Sequence, residues 1–382
     1  MSNITMTLNF PDIPLWQGVQ LIPGNYRSLP FALEWDKHGF AKQSADEIQK
    51  KQIIDQYSNC DYQFITAPPG YSPWANSLGD KEVQFILRSC GDFTGKKVLE
   101  IGAGSLYLGE RILEQGAVQY VIMDPAVKEK SKDTRLEVVE KYFSKDLCAN
   151  QRYDVVICLN CLEHLEEPYK FLCELRWLLN KSNGCAILVF PDISTQFGNG
   201  DLNALLHEHI SYFTLSTAEQ LMRNSGLRVL AKETNSDCLR FLVVAQEEFI
   251  VSFPEYMDEN YIRMPNHFQT SMKKFRNILR GAMSRSESIA IHGATNGANN
   301  ALYLAQMGQY EHIRIFDGDE TKAGKFLPLC INPVKHSASS DYRDYSTVYV
   351  AALTYFDAIK KELMQKHHFT EDQIVPLFSS IE

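Results

Sequence analysis

From Lys96 onward, short runs of β-branched and other apolar residues alternate with amphipathic stretches. The runs VLEIGAG, VQYVIMD, YDVVICLN and CAILVFPD predict buried strands, and SLYLGERILEQG and PYKFLCELRWLLN predict helices between them. Strands separated by helices predict an α/β fold with a doubly wound, mostly parallel sheet. The same alternation returns in ESIAIHGATNGANNALYLAQMG and EHIRIFDGD, so a second unit of this kind is expected.

These patterns divide the chain into four parts. Residues 1–85 are rich in proline and aromatic residues and predict an irregular, partly helical segment. Residues 86–248 hold the first α/β unit, and residues 249–284 predict a polar helical connector. Residues 285–382 predict a second, Rossmann-like domain at the C-terminal end.

Composition excludes several classes of protein. A net charge of −9 and an isoelectric point near 5.6 argue against non-specific nucleic-acid binding, because phosphate contacts require clustered lysines and arginines. No apolar run approaches the roughly 20 residues that cross a bilayer, so no membrane association is expected. The first residues lack the pattern of a signal peptide, which predicts a cytoplasmic protein.

The nine cysteines are scattered, mostly through apolar stretches, as reduced buried thiols are. Cys158 and Cys161 form a CxxC pair, a spacing that also occurs in zinc and redox sites. The pair follows a strand-like run and has no second CxxC nearby. We interpret it as structural.

The first glycine loop has the layout of a nucleotide site. Gly102 and Gly104 follow a predicted strand, and Asp124 ends the next strand, where its carboxylate can accept hydrogen bonds from a ribose. A dinucleotide site would place a third glycine where this chain has Tyr107. Glu100, just before the loop, suits an amine-bearing ligand better than a pyrophosphate.

The combination of E-x-G-x-G with an aspartate about 20 residues later resembles the class I S-adenosylmethionine-dependent methyltransferases. The resemblance continues through YDVVICLNCLEHLEEPYKFLCELRWLLNKSNGCAILVFPD. It implies S-adenosylmethionine as cofactor and S-adenosylhomocysteine as product. It further implies that Glu100, Gly102 and Gly104 hold the methionine part. Asp124 would bind the ribose and Asn160 would lie near the sulfonium.

The segment LLHEHISYFT allows three interpretations. It could be a metal site, a catalytic base with supporting groups, or a strand that carries ordinary polar side chains. It follows the predicted fifth strand, and H-E-H-x-S-Y-F resembles an element of the sugar C-methyltransferases, which act on nucleotide-linked keto-deoxysugars. The later CLRFLV, GATNGAN and DGDETKAGKFLP also resemble that family. Two histidines and one carboxylate without a further motif are weak support for a metal, so we expect none.

The resemblance implies roles for the residues of this segment. His209 would remove a proton beside a ketone, so that the enolate carbon attacks the methyl group, and a histidine near neutrality suits that task. Glu208 would be its neighbour, and His207 would contact the substrate. Tyr212 could donate to the enolate oxygen, or it could be a packed aromatic. His164 is interpreted as a capping or packing residue.

The second glycine loop could offer backbone amides to a pyrophosphate. Gly293, Asn296 and Gly297 are the candidates for this contact. Lys322 could pair with phosphate or lie in solvent, and Asp317 or Asp319 could supply the acid of the D-x-x-x-x-K-x-G pattern.

Three departures from the sugar C-methyltransferase pattern indicate a divergent branch. Cys60 is the only cysteine before Cys90, so the four-thiolate zinc module of that family is impossible here. Leu206 replaces a tyrosine that usually precedes H-E-H. The second glycine loop lacks the lysine often found in it.

The substrate expected is a small molecule, with a nucleotide-linked sugar favoured, and the protein is expected to be a monomer or a homodimer. Methylation of an oxygen or a nitrogen in a sugar or another metabolite is the alternative within enzymes. A non-catalytic binding protein that keeps the nucleotide pockets is the alternative from another class.

Overall fold

A computed structural model describes residues 8–58, 69–70, 73–234, 238–253, 257–307 and 309–379. The helices are α1 Glu47–Ser58, α2 Pro73–Cys90, α3 Tyr107–Glu114, α4 Pro168–Ser182, α5 Ser194–Asn199, α6 Leu215–Asn224, α7 Glu259–Arg285, α8 Asn296–Leu304 and α9 Phe356–His367. The strands are β1 Leu8–Pro14, β2 Ser28–Trp35, β3 Ala41–Gln43, β4 Lys97–Ile101, β5 Gln119–Met123, β6 Leu136–Val139, β7 Val155–Leu159, β8 Cys185–Pro191, β9 Ser211–Tyr212, β10 Leu227–Thr234, β11 Cys238–Ala245, β12 Ile289–His292, β13 Ile313–Asp317, β14 Lys335–His336, β15 Val348–Val350 and β16 Ile374–Pro376.

The central sheet has the order β10-β11-β8-β7-β4-β5-β6. Strands β4 to β8 pair in parallel, whereas β11 pairs antiparallel with β8 and β10. The chain therefore winds outward in both directions from β4 and β7, and ligands of open α/β sheets bind at such a switch point. The doubly wound, mostly parallel sheet predicted from the sequence is confirmed.

Helices cover both faces of the central sheet. Leu175 of α4 and Leu221 of α6 are fully buried with one face of the sheet, and Phe85 of α2 and Ile112 of α3 are buried with the other. Because both faces are covered, β4, β5 and β7 consist almost entirely of buried residues. Their continuous apolar runs are the pattern from which the fold was predicted.

The second sheet has the order β14-β13-β12-β15-β16, and all of its pairs are parallel. The strand-loop-helix unit β12–α8 opens it, as the glycine-rich pattern predicted. The long helix α7 precedes it, in the region where a helical connector was expected.

The N-terminal part differs from its prediction as an irregular segment. Strands β1, β2 and β3 form an antiparallel sheet that is completed by β9, a strand from much later in the chain. Pro11 and Pro14 lie in β1, which is an edge strand, and edge strands tolerate proline because they need fewer ladder donors. These prolines made the segment look irregular. Cys60 lies outside the described residues.

One hydrophobic core joins the N-terminal sheet, α7 and the second sheet. It contains Phe31 of β2, Phe268 of α7 and Ile291 of β12, each 1% exposed or less. Leu202 and Leu205 belong to the same core and are fully buried. Residues 201–210, which we call the histidine loop, are therefore enclosed by several elements.

No helix among the described residues is both long enough and apolar enough to span a membrane.

The contact between α5 and α7 depends on Gly200, which follows α5 with a φ of 60°. A Cβ at this position would lie 2.3 Å from the carbonyl oxygen of His267 in α7. We expect Gly200→Ala to lower the free energy of unfolding by about 2 kcal/mol or more, because it adds both backbone strain and overlap. Urea unfolding of the full chain measures this loss.

The control is Gly198→Ala, whose added Cβ would have no described atom within 4 Å beyond its own helix and chain neighbours. This variant should be as stable as the parent or slightly more stable, because alanine favours a helix over glycine. Equal stability of the two variants would contradict the proposed role of Gly200.

Candidate active site

The loops after β4 and β5 are joined by one carboxylate. The Gly104 amide donates to Oδ2 of Asp124 at 3.0 Å, and the Ala126 amide donates to Oδ1 at 2.7 Å. Gly102 and Gly104 have φ values of 72° and 67°, a region that glycine enters without a steric penalty. A carboxylate has about four acceptor positions, so Asp124 keeps capacity for a further donor such as a ribose hydroxyl.

Glu100 lies beneath this loop and is only 2% exposed. The Tyr120 hydroxyl donates to its Oε2 at 2.8 Å. Burial raises the pKa of Glu100 to about 8, and the nearby Asp124 charge adds to this rise while the Tyr120 hydrogen bond opposes it. A buried carboxyl with this pKa is mostly neutral at pH 7. The arrangement favours a supporting role beneath the loop over the direct contact with an amino group that the sequence predicted.

The loop after β7 meets the loop after β4 at the switch point. Asn160 has a φ of 49° and its amide donates to the Val189 carbonyl at 2.7 Å. A Cβ on Gly102 would lie 3.2 Å from Sγ of Cys161. The two loops are thus in contact, with Asn160 beside the glycines.

The CxxC pair belongs to this contact. Cys158 is 1% exposed, and its hydrogen bond with Cys161, together with burial, raises the pKa of its thiol. A protonated, buried thiol is unreactive, so the state of Cys158 agrees with the structural interpretation.

Beyond Asn160, a short 3₁₀ helix brings His164 against the histidine loop. Nδ1 of His164 lies 2.8 Å from the carbonyl oxygen of Glu208, and a carbonyl can only accept, so Nδ1 carries the proton. Burial lowers the pKa of His164 to about 4. The neutral ring therefore presents Nε2 as an acceptor.

His209 packs edge-to-face against His164, with ring centroids 5.0 Å apart. Its ring is also 6.2 Å from that of Tyr212. Burial, and secondly the neighbouring His164, hold the pKa of His209 well below its usual value. The residue is partly exposed, and the lowered pKa favours the neutral ring, which can accept a proton.

Glu163 completes this cluster. Its side chain is 3% exposed, and its Oε1 lies 3.9 Å from Nε2 of His164. Burial raises its pKa well above the usual value, and Oε2 has no hydrogen-bond partner among the described residues. Ligand atoms of Glu163, His164 and His209 all lie within 4.8 Å of one another, so the group could hold a metal ion. The prediction that no metal is needed stays a prediction.

Two residues of the H-E-H-x-S-Y-F element have hydrogen-bond partners outside this cluster. Nε2 of His207 lies 3.2 Å from the Leu29 carbonyl, and its ring packs edge-to-face on Phe31 of the N-terminal sheet. The Tyr212 hydroxyl donates to the Leu206 carbonyl at 3.0 Å, and Tyr212 is 1% exposed. The contacts of Tyr212 agree with the packed-aromatic alternative, and the substrate contact of His207 stays a prediction. Sequence spacing did not reveal the contact of His207 because Leu29 is distant in the chain.

The second glycine loop also differs from its prediction. The Gly297 amide, in the first turn of α8, donates to Oδ1 of Asn203 at 2.7 Å. Nδ2 of Asn296 donates to the Leu205 carbonyl at 2.8 Å, and Asn296 is 5% exposed. These groups are engaged by the histidine loop. The engaged amide of Gly297 is not free for a pyrophosphate in this arrangement, and the pyrophosphate contact of Asn296 stays a prediction.

Gly293 and Lys322 have internal contacts as well. A Cβ on Gly293, whose φ is 114°, would lie 2.8 Å from the Ala352 amide nitrogen, so glycine is required by close backbone approach. Nζ of Lys322 forms an ion pair with Oδ2 of Asp317 at 2.9 Å, and that oxygen also accepts from the Ala294 amide at 2.8 Å. Neither residue needs a phosphate to explain it.

Gln43 of β3 is a site residue that sequence reasoning missed. With its amide nitrogen turned toward the histidine loop, it donates to the carbonyls of His207 at 2.9 Å and His209 at 3.1 Å. Asn203 and Asn300 were missed as well, and Glu163 was not assigned a role. A polar residue near the end of a short strand carries no local signal for such contacts. Only the density of asparagines in TNGANN hinted at a hydrogen-bonding role.

Comparisons with known proteins agree with the geometry of the central sheet. A family model described as a methyltransferase domain matches residues 75–232. The match therefore covers α2, the central sheet through β10, the cofactor-type loops and the histidine loop.

Two curated relatives are O-methyltransferases. The ubiquinone biosynthesis O-methyltransferase of Histophilus somni is 30% identical over 147 residues, which cover 35% of this chain and 60% of the relative. The mitochondrial ubiquinone biosynthesis O-methyltransferase of Schizosaccharomyces pombe is 32% identical over 171 residues, covering 40% of this chain and 58% of the relative. The chain thus spans about three fifths of the length of these relatives.

Among solved structures, an S-adenosylmethionine-dependent methyltransferase of Mesorhizobium loti aligns with a TM-score of 0.33 and 12% identity, over 44% of this chain and 99% of that one. The family match and the ordered loops of the central sheet agree with each other. Residues 75–232 accordingly match a methyltransferase domain, within a longer chain.

Proposed function

We propose that this protein transfers a methyl group from S-adenosylmethionine to an acidic hydroxyl of a small metabolite, with His209 as proton acceptor. The observation that carries the proposal is the edge-to-face contact of the His209 ring with that of His164, on the loop that follows β7, in a partly exposed residue whose pKa is lowered by burial. A proton acceptor at the switch point of a methyltransferase sheet is what oxygen activation requires.

The residues of the β4, β5 and β7 loops fit the cofactor. Gly102 and Gly104 are partly exposed and have no Cβ to obstruct a ligand. Asp124 keeps acceptor capacity for the ribose hydroxyls, and Asn160 stands at the next loop for the methionine end. When bound, the cofactor supplies an electrophilic methyl group on sulfur.

The proton transfer can be followed atom by atom. His209 takes the hydroxyl proton on a ring nitrogen as the substrate oxygen forms its bond to the methyl carbon. The sulfur–carbon bond breaks and its electron pair stays on sulfur, giving neutral S-adenosylhomocysteine. His209, now cationic, has a low pKa and returns the proton to water readily.

The low pKa of His209 favours an oxygen acceptor. A weak base removes a proton efficiently only from a group that is itself acidic, because proton transfer needs a small difference in pKa. A phenolic or enolic hydroxyl meets this condition better than a C–H beside a simple ketone. The printed names of the two curated relatives, both O-methyltransferases, support the same choice.

Methylation of carbon in a nucleotide-linked keto sugar is the second candidate. The H-E-H-x-S-Y-F element and the second Rossmann-like sheet favour it. The engaged amide of Gly297 argues against it, since a nucleotide would lose one expected phosphate contact. Carbon-13 NMR of product made with labelled S-adenosylmethionine separates the candidates, because methoxy and C-methyl carbons have distinct shifts.

Asp124→Asn should weaken binding of S-adenosylmethionine about 10-fold or more, since it removes charge from a carboxylate that receives two loop amides and the ribose. Isothermal titration calorimetry measures the dissociation constant. Asp55→Asn, an exposed change in α1, is the control and should bind as the parent does. Equal affinity of both variants would show that Asp124 is not part of the cofactor site. Absence of S-adenosylmethionine binding by the parent would contradict the proposed activity.

His209→Gln should reduce kcat about 100-fold or more, the usual contribution of a general base, while affinity for S-adenosylmethionine stays unchanged. A suitable assay offers catechol and enol acceptors with methyl-labelled cofactor and quantifies product by mass spectrometry. The control is His312→Gln, an exposed histidine before β13. A variant at 209 that turns over like the control would exclude His209 as the base.

Chelation should leave turnover unchanged if His209 acts as a base, and added Zn²⁺ should inhibit. A cation on Glu163, His164 and His209 would occupy the lone pair that must take the proton. Turnover is compared with EDTA, without it, and with zinc titrated in. Loss of activity on chelation, restored by a divalent cation, would replace the base mechanism with a metal-assisted one.

A further inference from the structure

A side chain of the histidine loop, that of Asn203, forms a hydrogen bond with the first turn of α8. Oδ1 of Asn203 accepts from the Gly297 amide at 2.7 Å, and Nδ2 of Asn203 donates to the Ala351 carbonyl at 2.8 Å. Ala351 directly follows β15, so a single amide connects the histidine loop to both the helix and a strand end of the second sheet. The groups that usually receive a phosphate at such a loop receive Asn203 instead.

Two further side-chain amides of α8 donate hydrogen bonds to the same loop. Asn296 donates to the Leu205 carbonyl at 2.8 Å, and Asn300 donates to the carbonyls of Leu205 at 3.2 Å and Leu202 at 3.3 Å. Asn296 is 5% exposed and Asn300 is fully buried. Both asparagines lie on α8 and are buried, so water cannot replace them as hydrogen-bond donors. The carbonyls therefore depend on the asparagines.

Further hydrogen bonds follow along the backbone toward His209. The Tyr212 hydroxyl holds the Leu206 carbonyl, and the His209 amide closes a turn by donating to the same carbonyl at 3.1 Å. Leu205, the residue held by two asparagines, precedes His209 by only four residues. The position of His209 is thus linked to α8 through a short stretch that is held at Leu205 and Leu206.

We propose that Asn203, Asn296 and Asn300 are positioning residues, through which the second sheet fixes His209 at the methyl-transfer site. On this view the glycine loop of the second sheet is the receptor for Asn203 and not a site for a nucleotide phosphate. The proposal rests on the proposed function only in taking His209 as the reacting histidine. A positional error of about 1 Å at such a group can cost 100-fold in rate.

A loosened histidine loop has a measurable signature at His209. The groups that face its ring are His164 and Tyr212, with Glu163 and Glu208 close by. Movement of the loop would admit water and separate the two histidine rings. Because burial and His164 are what lower the pKa of His209, that pKa would rise toward the ordinary histidine value.

The test uses the full chain with three variants. Asn203→Ala removes the side chain that enters α8. Gly297→Ala disrupts the same contact from α8, since its Cβ would lie 2.6 Å from Cγ of Asn203. The matched control is Asn332→Ala, whose amide also donates to two carbonyls, those of Glu311 and Ile313, at 2.9 and 3.0 Å within the second sheet's surroundings.

Each variant is measured in three ways. NMR of protein labelled at histidine ring carbons gives the pKa of His209 without any substrate. Calorimetry gives the affinity for S-adenosylmethionine, which also establishes that the methyltransferase domain is folded. Turnover with the acceptor identified for the parent gives kcat, and calorimetry with uridine diphosphate tests the phosphate alternative.

For Asn203→Ala and Gly297→Ala we expect a raised His209 pKa, a kcat reduced about 10- to 100-fold, and cofactor affinity within about twofold of the parent. Asn332→Ala should lose stability without changing the His209 pKa or kcat. Asn203→Asp keeps the acceptor for the Gly297 amide but loses the donor to the Ala351 and Asp201 oxygens, so it should not recover the loss.

Several outcomes would overturn the proposal. One is an unchanged His209 pKa and kcat in both loop variants, and another is an equal loss in the Asn332 control. Saturable binding of uridine diphosphate that Gly297→Ala abolishes without altering kcat would assign the loop to a nucleotide. If His209→Gln alone leaves turnover intact, the proposed function fails, whereas a shifted His209 pKa in Asn203→Ala would still establish the positioning.

Discussion

The histidine loop crosses the interior without forming a β-strand. Its buried carbonyls therefore need hydrogen-bond donors from the elements around it. A buried carbonyl left unpaired costs about 1–3 kcal/mol. Three side-chain amides supply the donors, with Gln43 on one side and Asn296 and Asn300 on the other. The N-terminal sheet and the second sheet are therefore connected to the domain of the central sheet through the loop that carries His209.

This arrangement explains why the chain has sheets on both sides of that loop. A loop fixed from one side only would leave His209 free to move relative to the loops after β4 and β7. Pairing of β3 with β9 holds the exit of the loop, and the contacts of Asn203 hold its entrance. The neighbouring His164 then sets the environment of the ring. Geometry and pKa at His209 thus have a common origin in loop packing.

Much of the central domain could be predicted from the sequence, and the reason is local. Buried parallel strands are continuous apolar runs, and glycines at a strand end mark a loop close to a ligand. Gly102, Gly104 and Asp124 were predicted in this way, and in the structure the Gly104 amide donates to the Asp124 carboxylate. The strands of the N-terminal sheet were missed, because β1 contains prolines and because β3 pairs with β9, a strand from much later in the chain.

The sequence by itself determined the α/β class, the doubly wound sheet and the cofactor-type loops, since periodicity and turn chemistry act over a few residues. The tertiary structure decided which members of H-E-H-x-S-Y-F face the site. His207 and Tyr212 have partners elsewhere, and His209 meets His164, 45 residues earlier in the chain. It also decided that Asn203 enters α8, a contact across 94 residues. Side-chain direction and long-range hydrogen bonds depend on packing that no local pattern records.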